Sequence, residues 1–139
     1  MKRLVIIPAR AGSKRIQNKN IKLFLKKPLI YYCLEQLKKT KLFSKIHVSS
    51  DSKRIINLVN KINIDSDFFR PKKLSGDHMP IWPVLKYVVE RYSKIGMTFD
   101  QVWLVYATNP FISKQLIINC EKIFNKKISK SNNSALITV

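Results

Sequence analysis

Short apolar runs alternate along this chain with longer stretches of helical periodicity. Leu4-Val5-Ile6-Ile7 is continuous, largely β-branched and closed by Pro8, the pattern of a strand buried on both faces of a parallel sheet. Residues 9–27 show no clear period and read as a long loop around Gly12. Pro28 suits the first turn of a helix. Leu29, Ile30, Cys33, Leu34 and Leu37 then make one apolar helical stripe, and Lys38, Lys39 and Lys41 suit the negative end of its dipole. Residues 46–50 predict a second strand. Asp51 or Ser52 is placed to cap a helix whose inner face is Ile55, Ile56, Val59 and Ile62. Phe68-Phe69 is a brief strand or extended piece, and residues 72–80 are a loop. Residues 82–92 predict a helix with Pro83 in its first turn and Val84, Leu85, Val88 and Val89 inward. Residues 102–106 form another buried strand, and residues 107–110 a loop. A helix with Leu116, Ile117, Cys120, Ile123 and Phe124 inward comes next, and residues 134–139 begin one more strand.

Strands alternating with helices predict an α/β fold, a three-layer sandwich with a mostly parallel sheet, as one domain over residues 1–139. No internal repeat interrupts the pattern. The chain stops on the apolar run Ala135-Leu136-Ile137-Thr138-Val139, so the expectation is the N-terminal part of a longer protein.

Composition narrows the class. Hydrophobic residues make up 45% of the chain, ordinary for a globular protein and too many for a disordered basic tail. Two cysteines, Cys33 and Cys120, are too few for a disulfide framework or a cysteine-type zinc site, which fits a reducing cytoplasm. No apolar run approaches the roughly 20 residues of a membrane span, and the patch after Met1 is too short for a secretory signal. The charge is less decisive. With 27 Lys and Arg against 8 Asp and Glu, the formal charge is +19, which suggests a polyanionic partner. Yet Lys dominates over Arg, Ile and Asn are also abundant, and the lysines run from Lys2 to Lys130 without a dense block. A Lys-rich compositional drift explains most of that. A nucleic-acid surface and a local phosphate site remain the alternatives.

The loop after the first strand decides between them. Ligands of open α/β sheets bind beyond the carboxyl ends of the strands. Here that loop holds Arg10, Gly12, Ser13, Lys14, Arg15 and Lys19. Gly12 allows close backbone approach, Ser13 offers a hydroxyl, Arg10 can fork onto phosphate oxygens, and Lys14 and Lys19 act as mobile point charges. This is chemistry for a triphosphate. It is neither a GxxxxGK[ST] loop nor GxGxxG, and by itself it is equally a solvated basic loop.

The stretch IPARAGSKRIQNKNI resembles the nucleotide-binding signature of the cytidylyltransferases that activate nine-carbon acidic sugars, the acylneuraminate and pseudaminic acid cytidylyltransferases. KPLIYYCLEQ, KIHVSSDSKRI, FFRPKKLSGD, VWLVYATNPF and SALITV are similar to later segments of the same family, in the same order. The resemblance implies a nucleotide-diphospho-sugar transferase-like, Rossmann-like fold. It implies transfer of CMP from CTP to a 2-keto sugar acid (pseudaminic, legionaminic or sialic), with Mg²⁺ and release of pyrophosphate. It also implies a homodimer for the full-length family; no membrane partner is expected, from the absence of a long apolar run. By position, Arg10, Ser13, Lys14, Lys19 and Asn20 would hold the CTP phosphates, with Arg10 and Lys19 catalytic. Gly12 would give backbone contact, and Arg70 would lie beside the cytosine. Tyr106, Thr108 and Asn109 would face the sugar acid, and Tyr106 looks more like the pseudaminic or legionaminic branch.

The sequence departs from that family in places. Ala11 and Ala107 replace a usual Gly and Pro, and Asn109 replaces a small residue. Met79 and Ile81 stand near the base where small or hydroxyl residues are usual. The family's acidic metal ligands and dimerisation arm come after the matched part. Asp51, Asp77 and Asp100 are the loop carboxylates at hand, Asp51 and Asp100 reading as cap and turn residues. His47 reads as a packed or edge histidine, and His78 as a loop residue at the pocket. Cys33 and Cys120 lie on apolar helix faces and read as core. Trp82 and Trp103 read as core or interface. Two other readings stand beside the enzyme: a catalytically weak nucleotide-binding relative, and a small basic nucleic-acid-binding protein.

Overall fold

The computed structural model describes residues 1–128 apart from Ser13, Arg15, Gln17 and Asp65. The expected strand over residues 134–139 lies outside the described residues, as does Ser13. Strand β1 (Arg3–Pro8) runs parallel to β4 (Lys45–Ser49) on one side and to β5 (Gln101–Leu104) on the other. Between β1 and β4 come a 3-10 turn (Lys19–Ile21), the short strands β2 (Leu23–Phe24) and β3 (Lys27–Pro28), and helix α1 (Leu29–Thr40). Helix α2 (Lys53–Asn60), a 3-10 turn (Lys72–Leu74) and helix α3 (Ile81–Lys94) connect β4 to β5, and α4 (Lys114–Ile128) follows.

The spatial order β4-β1-β5 explains the layers. A parallel crossover is right-handed, so reversing its direction across the sheet moves its helix to the other face. The chain moves one way from β1 to β4 and back across β1 to reach β5. Helix α1 therefore packs with Val5, Ile7 and Val48 on one face, where α2 joins it before the chain crosses back, while α3 packs Leu85, Val88 and Tyr92 against Leu4 and Ile6 on the other. Ile117 of α4 joins the first cluster. The period-2 alternation of β1 thus feeds two separate cores, which is why all four of its central residues are fully buried. This is the expected three-layer α/β sandwich.

Several elements differ from expectation. The stretch read as loop contains an antiparallel hairpin, Leu23 opposite Pro28 and Phe24 opposite Lys27. Two-residue arms are too short to show a period, and Leu25-Lys26 is not a turn-forming sequence. The hairpin is tied to α1: Tyr32 donates its hydroxyl to the Phe24 carbonyl at 2.6 Å, and Lys27 pairs with Glu35 at 2.7 Å. Pro28 sits just before α1 with extended backbone rather than inside its first turn. Ser52 caps α2, its Oγ accepting from the Ile55 N–H; Asp51 does not. Phe68 is no strand residue but packs beside α3. Strand β5 was expected to be buried, yet Val102 is 45% exposed because β5 is outermost among the described strands. Leu116 and Ile123 are also exposed; among the described side chains of α4, Ile117 and Cys120 are the buried ones. Trp82 is 74% exposed, not core, whereas Trp103 packs edge-on against Phe43.

Polar contacts fix the end of the sheet away from its carboxyl edge. Arg3 pairs with Glu121 of α4 at 2.5 Å and donates from Nε to Gln101 Oε1, while Gln101 donates to Asn125. Asp100 accepts from the Lys2 N–H at 2.6 Å, the turn role expected of it. Among the described residues no helix is long and apolar enough to cross a membrane.

Candidate functional site

A cleft of about 910 Å³ opens beyond the carboxyl ends of the sheet strands, where an α/β sheet places ligands. Its floor is Pro8 at the end of β1. Its walls include Arg10, Lys14, Lys19 and Asn20 from the first loop, and Arg70, Asp77, His78 and Met79 from the segment before α3. Ile81 and Val84 come from α3, and Tyr106, Ala107 and Thr108 follow β5. Four cations and one carboxylate thus meet among the described lining residues.

Each is positioned by the chain around it. The backbone leaving β1 is held on both sides: the Ala9 N–H donates to the Ser49 carbonyl at 2.9 Å, and the Ala11 N–H to Asp51 Oδ1 at 2.9 Å. Asp51 is therefore a loop anchor. Asn20 is buried, and its Nδ2 donates to the Arg10 carbonyl at 3.2 Å, so its amide holds the loop in shape. Asn18, at φ 52, starts the turn that carries Lys19 and Asn20, a backbone state asparagine tolerates. Arg70 is buried, with Nε on Ser49 Oγ at 3.0 Å and Nη2 on the Ser49 carbonyl at 2.6 Å. Its own N–H donates to the Ser50 carbonyl at 2.8 Å. Arg70 thereby clips the segment before α3 onto the end of β4. Burial lowers its pKa, Asp51 opposing and Arg10 adding to the effect.

Asp77 is the residue that sequence reasoning left without a partner. Its Oδ1 lies 2.5 Å from Arg10 Nη1 and its Oδ2 2.5 Å from Lys14 Nζ. Hydrogen bonds from Lys14 and then Arg10 bring its carboxyl down to about 2. The signal available was a carboxylate after a glycine, in a loop read as facing the cleft.

Of the residues predicted for the site, Arg10, Lys14, Lys19, Asn20, Arg70, Tyr106 and Thr108 converge on one cleft. Gly12 and Asn109 do not line it. Gly12 is exposed, and among the described residues a Cβ there would meet the Arg10 side chain at an ordinary 3.5 Å. Asn109 is exposed and turns back on Tyr106, its N–H donating to the Tyr106 carbonyl at 3.2 Å. Met79 and Ile81 do lie on the wall and add apolar side chains to it. His78 lines the same stretch.

Other reactive groups are structural. His47 is fully buried. Cys33 is buried too, and burial pushes its thiol up to about 12, so it is no thiolate nucleophile. Among the described residues no three His, Cys, Asp or Glu gather as a metal site. The cleft's carboxylate is engaged by two cations. The described cleft residues therefore do not fit a Mg²⁺ site.

A parallel α/β sheet with cations gathered beyond its carboxyl edge is the arrangement in which open α/β folds place their ligand site. The comparisons with known proteins place it further. The chain belongs to the cytidylyltransferase family, whose model matches residues 4–137. It is 38% identical over 130 residues to the pseudaminic acid cytidylyltransferase of Campylobacter jejuni subsp. jejuni serotype O:2, covering 94% of this chain and 56% of that protein. It is 29% identical to the CMP-N,N'-diacetyllegionaminic acid synthase of Legionella pneumophila subsp. pneumophila, covering 92% and 56%. The chain therefore spans little more than half the length of these relatives. Among solved structures, CMP:2-keto-3-deoxy-manno-octonic acid synthetase complexed with CTP matches with a TM-score of 0.73 at 20% identity, over 91% of this chain and 48% of that one. The fold is the one that this synthetase has.

Proposed function

We propose that this chain carries the CTP-binding half of a cytidylyltransferase that transfers CMP to a nine-carbon 2-keto sugar acid of the pseudaminic, legionaminic or sialic type. The observation that carries this reading is the convergence of Arg10, Lys14, Lys19 and Arg70 on one cleft beyond β1. The relatives named for pseudaminic and legionaminic acid support the substrate class. In the reaction, the anomeric hydroxyl oxygen attacks the α-phosphorus of CTP. The new O–P bond forms as the bond to the bridging oxygen breaks, the hydroxyl proton passes to solvent, and pyrophosphate leaves with the electron pair. Arg10 and Lys19 offset the charge gathering on the phosphates. Lys14, Ser13 and Asn20 seat the triphosphate, the first as a point charge and Asn20 through the Arg10 carbonyl, while Gly12, outside the cleft lining, would have to turn inward to give backbone contact. Arg70, Met79 and Ile81 form the base end, and Tyr106 and Thr108 the sugar end, with Asn109 reaching in only if its turn opens.

The test is thermal denaturation with CTP, ATP or a short DNA duplex, at low and moderate salt. CTP-selective stabilisation is expected, reduced about tenfold in apparent affinity by Arg10→Ala, the loss of one charge-assisted contact. A steep, salt-sensitive response to DNA with none to CTP would sink the proposal.

A second reading, a nucleotide-binding relative with little activity, is favoured by two observations. The carboxylate among the described cleft residues is committed to Arg10 and Lys14, and the base wall carries Met79 and Ile81, which cannot hydrogen-bond cytosine. For this 139-residue chain alone, pyrophosphate release from CTP and pseudaminic or sialic acid is expected to be very low. Robust release would refute the second reading, and equal stabilisation by ATP and CTP would favour it.

A further inference from the structure

The loop before α3 places a carboxylate where the first loop offers cations. Each oxygen of Asp77 meets a different cation, Arg10 and Lys14, both at 2.5 Å, and all three residues line the cleft. The two cations come from the loop after β1, while Asp77 is more than sixty residues away in the chain. A carboxylate bridging an arginine and a lysine presents the same pair of anionic oxygens that one phosphate group presents.

The segment around Asp77 is also built to leave. Gly76 precedes it, and a Cβ added there meets nothing within 4 Å. Among the described residues, the segment's own backbone is closed by one turn contact, the Met79 N–H on the Gly76 carbonyl at 3.2 Å. Asp77 and His78 are exposed. The two ends of the segment, by contrast, are fixed by the 3-10 turn Lys72–Leu74 and by α3. On the cation side the Arg10 backbone is held by Asn20 and its neighbour Ala11 by Asp51.

We propose that Asp77 is an internal counter-anion: it occupies the phosphate position of Arg10 and Lys14 in the empty protein and is exchanged for a phosphate of the incoming polyphosphate. This rests on the reading of the cleft as a phosphate site. While Asp77 holds both cations, a ligand binds only the fraction of molecules in which it has swung away, and its apparent affinity is lowered by that fraction. Asp77 thus sets how anionic a ligand must be before it is held. It also keeps Arg10 and Lys14 ordered when no ligand is present.

Inorganic tripolyphosphate is the probe, because it carries the phosphates without base or sugar. Its affinity is measured by thermal-shift titration of wild type, Asp77→Asn, Asp77→Ala and Glu90→Gln at fixed ionic strength. Glu90 lies on α3 and pairs with Lys86, so Glu90→Gln removes the same unit of charge away from the cleft. Both Asp77 variants are expected to bind tripolyphosphate roughly three- to tenfold more tightly, the range of two partly exposed ion pairs released together, and Glu90→Gln is not. The unliganded melting temperature of each variant reports that it is folded. Unchanged or weaker binding in both Asp77 variants would overturn the proposal and make Asp77 a residue that positions the cations. Arg10→Ala separates the two levels of the argument. Lost binding in Arg10→Ala with no gain in the Asp77 variants rejects the exchange and leaves the phosphate site standing. Equal binding by Arg10→Ala and wild type rejects the phosphate site and the exchange together.

Discussion

Leu25 and Lys26, between β2 and β3, have φ of 46° and 67°. A two-residue hairpin turn needs positive φ at both central positions, and Asn-Gly supplies it with the least strain. Neither Leu nor Lys does, and Leu25 is also 79% exposed, so its side chain gains little in return. Leu25→Asn with Lys26→Gly is expected to stabilise the fold by about 1 kcal/mol, read as a higher urea midpoint at unchanged slope. The same two residues show why parts of the chain were illegible. A turn is recognised from glycine and asparagine, and here a tertiary tether, Tyr32 to the Phe24 carbonyl, holds the hairpin without them. Ser52 and Asp51 were equivalent as caps on sequence grounds. What separated them is a contact forty residues away in the chain, Asp51 with Ala11, which local pattern cannot show.

At the scale of elements, β4 and α3 are joined through a buried polar chain. His47 Nδ1 lies 2.9 Å from the Tyr92 hydroxyl, which in turn donates to Asp67, and Asp67 pairs with Lys45 at 2.8 Å. Because the one Tyr92 hydroxyl proton goes to Asp67, we assign the His47 proton to Nδ1. His47 Nε2 then stays a buried acceptor without a partner. The ring lies 4.6 Å from Phe68, centre to centre. Burial brings His47 down to about 4, with Asp67 opposing and Lys45 and Arg70 adding to the shift. Between its ordinary 6.5 and that value, the unfolded chain takes up a proton that the native protein refuses. Stability is therefore whole above pH 6.5 and falls as pH drops toward 4, by up to about 3 kcal/mol. Asp67 acts in the same direction at lower pH: burial raises it, but the hydrogen bonds from Lys45 and Tyr92 outweigh that and lower it. Urea denaturation across pH 4–7 should show this slope, and His47→Phe should flatten it. Long strands and helices were legible because their periods recur over whole turns. Helix α4 was only half legible: its apolar residues form a stripe wider than the seam with α1, which leaves Leu116 and Ile123 outside.

For the molecule as a whole, the cleft was legible because the loop after the first strand of an α/β sheet sits at its carboxyl edge whatever else the fold does. Arg10, Lys14 and Lys19 follow from that rule. Gly12 and Asn109 did not, since neighbours in sequence need not share a wall. Among the described residues, lysines outside the cleft lie on α1, α3 and α4, so the +19 charge extends well beyond the site. The two tryptophans have opposite surroundings. Trp82 stands in solvent on the first turn of α3, beside the cleft residue Ile81, while Trp103 rests on Phe43 and donates to Gln101. The protein thus contains its own pair of optical reporters. Acrylamide should quench a red-shifted emission from Trp82 and spare a bluer one from Trp103. A ligand entering the cleft should alter the first alone, and loss of the fold should alter the second.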